Sequence, residues 1–295
     1  DVVSPDPSTI DWAVIGAECG MPVRHPSAVG EGWDAYVFRD ARHVFKLGKR
    51  TEVREQILLE AHTLGELRGR LPIRTPNAVF STDRSNAWPN AYNVQRFVDG
   101  EALALRPRCD ARIAVQIGRA LRVLHDLEPR SLRDITFPVC DRRELARESV
   151  DPAFVEIEKK VDRASCRVIR SEVARVLDEP SAFDFEPALI HNDLHSEHVL
   201  IDGSENVAII DWGDAGMGDP DSDFMQLYLD WGPGFLETCA RAYGHADTDR
   251  LRRKLDSLGL LYQLFLIVCI PQFGSGEYEA FDSLIAWAER SKRSG

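Results

Sequence analysis

The sequence predicts an α+β chain of two lobes: a small N-terminal β-sheet lobe with one main helix over residues 1–97, and a larger, mostly helical C-terminal lobe over 98–295. Three observations predict it. Strand-like segments flank one amphipathic helical segment in the first third of the chain. Beyond Gly100 the apolar residues change to helical spacing. A length of 295 residues, 44% hydrophobic and 28% charged, is enough for a substantial core and too apolar for disorder.

The elements follow in order. "AVGEGWDAYVFRD" and "HVFKLGK" read as two strands joined by the polar turn from Arg39 to Arg42. "TEVREQILLEAHTLGELRG" reads as a helix, with Val53, Ile57, Leu58, Ala61 and Leu64 on one face. "NAVFSTDRSNAWPNAYNVQRFVDG" gives a strand pair around a Ser-Asn-Pro turn, ending at Gly100. "DARIAVQIGRALRVLHDLE" is a helix with Ile113, Ile117, Leu121 and Leu124 aligned. Residues 141–178 are charged and helix-compatible, residues 189–214 supply short strands, and helical patterns continue to the end. A crevice between two such lobes is a common ligand site.

Composition narrows the function. With 36 Lys and Arg against 48 Asp and Glu, the net charge of −12 argues against a broad nucleic-acid surface, which needs clustered cations. It suits a cationic small substrate, although acidity also serves solubility. Cys19, Cys109, Cys140, Cys166, Cys239 and Cys269 form no C-x-x-C pair, which predicts free thiols and a reducing cytoplasm. The start, "DVVSPDPSTIDW", has neither a basic region nor an apolar core, so no secretory signal is expected. The longest apolar run, residues 258–270, is too short to span a bilayer and reads as a buried helix.

The chemistry concentrates in "LIHNDLHSEHVLIDGSENVAIIDWGD", residues 189–214. Asp193 lies two residues after His191, His198 five after Asp193, and Asp211 eighteen after Asp193 at the end of the apolar "VAII". Singly, each is a turn-capping polar residue. As a set beside apolar strands they fit phosphoryl transfer, which needs a carboxylate to orient an acceptor hydroxyl and ligands for the magnesium that neutralises phosphates. Asp193 is then the base, with His198 and Asp211 on the metal.

"HNDLHSEHVLID" followed by "IIDWGD" resembles the catalytic loop and metal-binding segment of the antibiotic phosphotransferases, which include aminoglycoside and macrolide kinases and share the protein-kinase-like fold. The kinase order is H-R-D-x-x-x-x-N, then D-F-G. The resemblance implies that Asp193 is catalytic and Asp211 binds Mg2+. His198 stands where most kinases have Asn, an unusual choice for a hard cation. Aminoglycoside 2″-phosphotransferases and macrolide 2′-phosphotransferases are similar in having His there. The resemblance implies binding by His198 directly or through water.

It further implies a nucleotide clamp in the first lobe. In "VGEGWDAYVF", Gly30 and Gly32 let backbone approach phosphates, while the third glycine of the kinase loop is missing, with Ala35 nearby. Lys46, inside the apolar "HVFKLGK", is the phosphate ligand, and Glu60 its partner; Glu55 competes but lies in the polar first turn of the helix. A snorkelling edge lysine is the plainer reading of Lys46. "YNVQRFVDG" resembles the interlobe hinge, where a base edge meets backbone groups near Gln95, Arg96 and Phe97. In "DWGDAGMGDPDSDF", Asp223 matches a supporting aspartate, and Asp214 is placed to meet substrate; Asp219 and Asp221 complete the acidic group. Asp230 and Glu237 are candidate acceptor ligands, or solvated charges, and Trp212, Tyr228 and Trp231 are candidate core aromatics.

The expected activity is transfer of the γ-phosphate of ATP or GTP to a hydroxyl of an antibiotic, conferring resistance, by a cytoplasmic monomer that binds neither nucleic acid nor membrane. An aminoglycoside ranks first as acceptor, a macrolide second, and a metabolite such as choline or homoserine third. Two other classes compete: a kinase-shaped binding protein without turnover, and a metal-dependent hydrolase built on His191, Asp193, His195 and His198. Lys46, Asp193 and Asp211 argue against the first; Lys46 and the glycines are unexplained by the second.

Overall fold

The computed structural model describes residues 6–24, 26–128, 136–273, 281–282 and 284–285. A five-stranded antiparallel sheet comes first, in the order β1-β2-β3-β5-β4, from β1 (Ser27–Glu31), β2 (Ala35–Asp40), β3 (His43–Gly48), β4 (Ala78–Thr82) and β5 (Tyr92–Arg96). The first expected strand is divided. Gly32, Trp33 and Asp34 turn the chain back, with Gly32 N donating to Ala35 O at 3.0 Å, so two expected strands become three.

One sheet face closes on α1 (Trp12–Glu18), whose Asp11 cap accepts from the N–H groups of Ala13 and Val14. Ile15, Phe45, Leu47, Trp88, Tyr92 and Val94 form the core there. The other side carries α2 (Arg54–Leu67), which packs on β4 and β5 and buries Ile57, Ala61, Leu64 and Leu67 together with Glu60. A charged side chain in an apolar helix face needs a partner.

Past the sheet the structure is mainly helical: α3 (Ala111–His125), α4 (Arg142–Lys160), α5 (Arg163–Asp178), α6 (Met225–Tyr243) and α7 (Thr248–Phe273). Asp110, Asp141 and Asp162 cap α3, α4 and α5 with short bonds to backbone N–H groups. The expected face of α3 is buried against α6. Their approach requires glycine: a Cβ at Gly118 would stand 2.2 Å from Cys239 O. The apolar run at 258–270 lies in α7, with Leu258, Leu261, Leu264 and Ile267 in the core. No helix among the described residues is long and apolar enough to cross a membrane. All six cysteines are free.

Short strands between α5 and α6 set up the site. β7 (Ala188–Ile190) pairs with β10 (Gly216–Gly218), while β8 (Val199–Ile201) pairs with β6 (Glu101–Ala102) and β9 (Val207–Ile209). These pairings lay the 191–198 loop beside residues 210–214, as Ile210 N bonded to His198 O at 3.0 Å shows.

Candidate active site

Lys46 projects from β3 with its side chain 12% exposed, and its Nζ lies 2.7 Å from Glu60 Oε1 and 2.7 Å from Asp211 Oδ1. Burial alone would lower its pKa; the carboxylates of Asp211 and Glu60 overcome that and raise it, so the ammonium stays charged. Glu60 is fixed in turn by Asn93 Nδ2 at 3.1 Å and by Trp212 N at 3.3 Å. Glu55, the competing partner, is exposed on α2. The lysine therefore ties the sheet and α2 to the segment after β9.

Asp211 adopts φ +64°. That left-handed conformation is uncommon outside glycine and best tolerated by Asp and Asn, and here it turns the carboxylate toward Lys46. Burial would push its pKa up, but Lys46, and then His198, outweigh it and hold the carboxyl well below the usual range.

His198 links the two aspartates. Its Nδ1 is 2.9 Å from Asp193 O, and a carbonyl only accepts, so Nδ1 carries the proton. The lone pair is then on Nε2, which is 3.7 Å from Asp211 Oδ2. A carboxylate and an imidazole lone pair facing across that gap fit one divalent cation, whose ligands each stand about 2.1 Å away. Asp193 follows in the same loop, its side chain 34% exposed, with Oδ2 3.6 Å from His198 Nδ1 and 3.8 Å from His195 Nε2. Asp193, His195 and His198 each place a ligand atom within 4.8 Å of the others, so three of the four residues of the hydrolase reading converge. The fourth does not join them: His191 is buried on Trp212, with its Nε2 donating to Ile210 O at 3.0 Å. Burial lowers its pKa.

The loop is shaped by residues around it. Asp223, fully buried, accepts from His191 N and Asn192 N, both at 2.8 Å, and from His125 Nε2 at 3.1 Å. Burial opposes its ionisation, but the His125 bond leads the interactions that hold its pKa below normal. Asn192, at φ +70°, receives Arg142 Nη2 on its carbonyl at 2.9 Å. Asp219 and Asp221 both pair with Lys254.

The candidate acceptor ligands separate. Asp214 lies in the cleft, bonded by Gln56 Nε2 at 3.0 Å, and burial, then the charge of Asp193, push its pKa up to about 6. Asp230 accepts from Ser196 N and Oγ, so it secures the 191–198 loop. Glu237 is exposed and pairs with Arg241 one turn on, and no contact brings it to this site. Trp212 is buried core; Tyr228 donates to Asp256, and Trp231 Nε1 to Ser196 Oγ at 2.8 Å.

Gly30 and Gly32 flank the β1–β2 turn. A Cβ would stand 3.8 Å from Val37 Cβ at Gly30 and 3.8 Å from Ala35 O at Gly32, so packing within the protein does not demand glycine at either. At the expected hinge the backbone donors are already paired. Gln95 is buried, its amide bonded to Asn93, and the N–H groups of Arg96 and Phe97 donate to Asn77 O at 2.8 Å and Arg42 O at 2.7 Å. The sheet takes these donors, so the first backbone N–H groups past it are those of Val98, Asp99 and Gly100. The sequence reading also missed Gln56, Arg142, Gln226 and Tyr262. None stands in a motif, and Gln56 and Asp214, 158 positions apart in the chain, meet only because it folds back.

Residues 26–258 match the family model described as "Phosphotransferase enzyme family". The chain belongs to that family. Solved structures of protein-kinase-like fold agree. A structure of an APH(2″) enzyme with GDP and kanamycin superposes with a TM-score of 0.81 at 22% identity, covering 96% of this chain and 98% of that one. A ternary complex of streptomycin, ATP and APH(2″)-IIa gives 0.70 at 20%, covering 90% and 91%. A macrolide 2′-phosphotransferase, MphH from Brachybacterium faecium, gives 0.70 at 18%, covering 92% and 96%. At these identities the likeness establishes the phosphotransferase fold.

Proposed function

We propose that this phosphotransferase moves the γ-phosphate of ATP or GTP to a hydroxyl of an antibiotic, most readily an aminoglycoside, as a monomer in the cytoplasm. The observation that carries the reading is the row Lys46, Asp211, His198, Asp193, successive members of which lie 2.7, 3.7 and 3.6 Å apart. A cation for phosphate oxygens stands at one end and an exposed carboxylate for a hydroxyl at the other. Lys46, steadied by Glu60, contacts the α- and β-phosphates, and the β1–β2 turn, entered through Gly30 and Gly32, covers them. The base edge takes its backbone N–H donors from Val98, Asp99 and Gly100, since those of Arg96 and Phe97 are paired within the protein. Asp193 orients the acceptor hydroxyl and takes its proton. Mg2+ held by Asp211 and His198 would offset the charge of the phosphate oxygens.

Support for an aminoglycoside comes from the acidic setting: Asp193 and Asp214 share the cleft, and the whole chain carries −12. The kanamycin and streptomycin complexes among the similar structures point the same way. A macrolide is the second reading, carried by the macrolide 2′-phosphotransferase among the similar structures. A nucleotide-consumption assay with ATP and GTP over aminoglycosides, macrolides and hydroxylated metabolites tests this. Aminoglycoside-dependent, Mg2+-requiring turnover that EDTA stops is expected. Turnover with macrolides alone would move the acceptor to the second reading, and zinc-dependent hydrolysis without phosphate transfer would replace both.

A further inference from the structure

Two oxygens of Asp193 have different neighbours. Oδ1 accepts a hydrogen bond from Gln226 Nε2, in the first turn of α6, at 3.1 Å. Gln226 is itself held: Tyr262 OH, on α7, lies 3.2 Å from Gln226 Oε1. The direction of this chain follows from its ends. An ionised carboxylate only accepts, so the amide nitrogen must face Asp193; the amide oxygen then faces Tyr262, whose hydroxyl donates. Burial, and then the charge of Asp193, raise the Tyr262 pKa, which keeps the phenol protonated and able to donate. Oδ2 points the other way, toward His195 and His198.

Rotation of an aspartate carboxylate about its last bond is soft. One fixed N–H on Oδ1 sets the plane of the group and leaves Oδ2 as the oxygen that can meet an acceptor hydroxyl. We propose that Gln226, backed by Tyr262, is a positioning residue that orients Asp193 toward the acceptor, an inference that rests on the phosphotransfer reading above. Gln226 touches neither the nucleotide clamp at Lys46 nor the pair Asp211–His198, so its effect belongs to the acceptor step.

The experiment compares steady-state kinetics of the full chain with those of Asp193→Asn, Gln226→Met, Tyr262→Phe and the double variant Gln226→Met/Tyr262→Phe, with unfolding midpoints recorded alongside. Methionine keeps the volume of glutamine and removes the donor. A parent without turnover, or an Asp193→Asn variant with parental turnover, removes the phosphotransfer reading and this inference with it. With those controls as expected, Gln226→Met lowers kcat about 10- to 100-fold while the nucleotide KM stays within about twofold. Tyr262→Phe has a smaller effect in the same sense, and the double variant is no worse than Gln226→Met, because both act through one bond. Parental kcat in Gln226→Met, a nucleotide KM that rises in step with the loss, or independent additive losses would overturn the assignment. Should Gln226→Met not fold, Tyr262→Phe decides: reduced kcat at constant nucleotide KM supports it, and parental kcat overturns it.

Discussion

Lys46 is a buried cation with two anions on it, and removing it has consequences on both sides. Lys46→Ala leaves Glu60 and Asp211 without their shared counter-charge. We expect nucleotide kcat/KM to fall by about 100-fold or more, with the acceptor KM little changed, in a two-substrate kinetic matrix; equal efficiency to the parent would refute the role. Asp214 offers a second test at this scale. Its carboxyl, displaced by burial and Asp193 to about 6, binds its proton more tightly folded than unfolded. Such a group costs nothing below its unfolded pKa, and its ionisation destabilises the fold increasingly from about pH 4 to about pH 6. Asp214→Asn should therefore match the parent near pH 4 and melt higher at pH 7 to 8, by an amount equivalent to at most about 3 kcal/mol. A melting difference that does not change with pH would contradict it. These residues were visible in the sequence because each is a charge inside an apolar context: Lys46 between Phe45 and Leu47, Glu60 among leucines, Asp211 after "VAII". Burial without a partner is costly, so the partners could be named as well. Gln226 and Tyr262 gave no such signal, since an amide and a phenol are ordinary on any helix and contact Asp193 and each other across 33 and 36 residues of chain.

At the scale of elements, the 191–198 loop is held by what surrounds it more than by its own sequence. Asp223, itself buried, accepts from three donors, on His191, Asn192 and His125. Asp223→Ala would orphan them, each at a cost of about 1 kcal/mol or more, so we expect chemical denaturation to show a loss of at least about 3 kcal/mol; a loss under about 1 kcal/mol would mean that water replaces the carboxylate freely. Where α3 crosses α6, a Cβ at Gly118 would overlap Cys239 O. Gly118→Ala, which ordinarily favours a helix, should here destabilise by about 1–3 kcal/mol, with an unchanged or raised midpoint as the contrary result. The helices were legible from their spacing, as Ile113, Ile117, Leu121 and Leu124 show. The turn at Gly32, Trp33 and Asp34 was hidden inside a run read as one strand. The pairing at the expected hinge was hidden for a related reason: residue patterns show which side chains face the core, whereas the bonds from the Arg96 and Phe97 backbone donors to Asn77 and Arg42 depend on neighbouring strands.

At the scale of the molecule, the sheet supplies the cation and the helical part supplies the carboxylates. Glu60 and Trp212, joined by a 3.3 Å bond, brace the meeting point. Phosphoryl transfer asks for this division, since nucleotide and acceptor must be brought in line from two sides. The lobe order and the spacing from Asp193 to Asp211 carried most of that arrangement in the sequence; the contacts that α6 and α7 make around Asp193, from far along the chain, carried almost none. On this reading Asp193 serves the acceptor hydroxyl in the shared cleft. Phosphate transfer from nucleotide to aminoglycoside, measured for the parent and for Asp193→Ala at matched folded concentration, tests it most directly. We expect turnover in the parent and a loss of at least about 1,000-fold in the variant, with its melting temperature retained; a folded Asp193→Ala protein that phosphorylates at the parental rate would remove Asp193 from the mechanism.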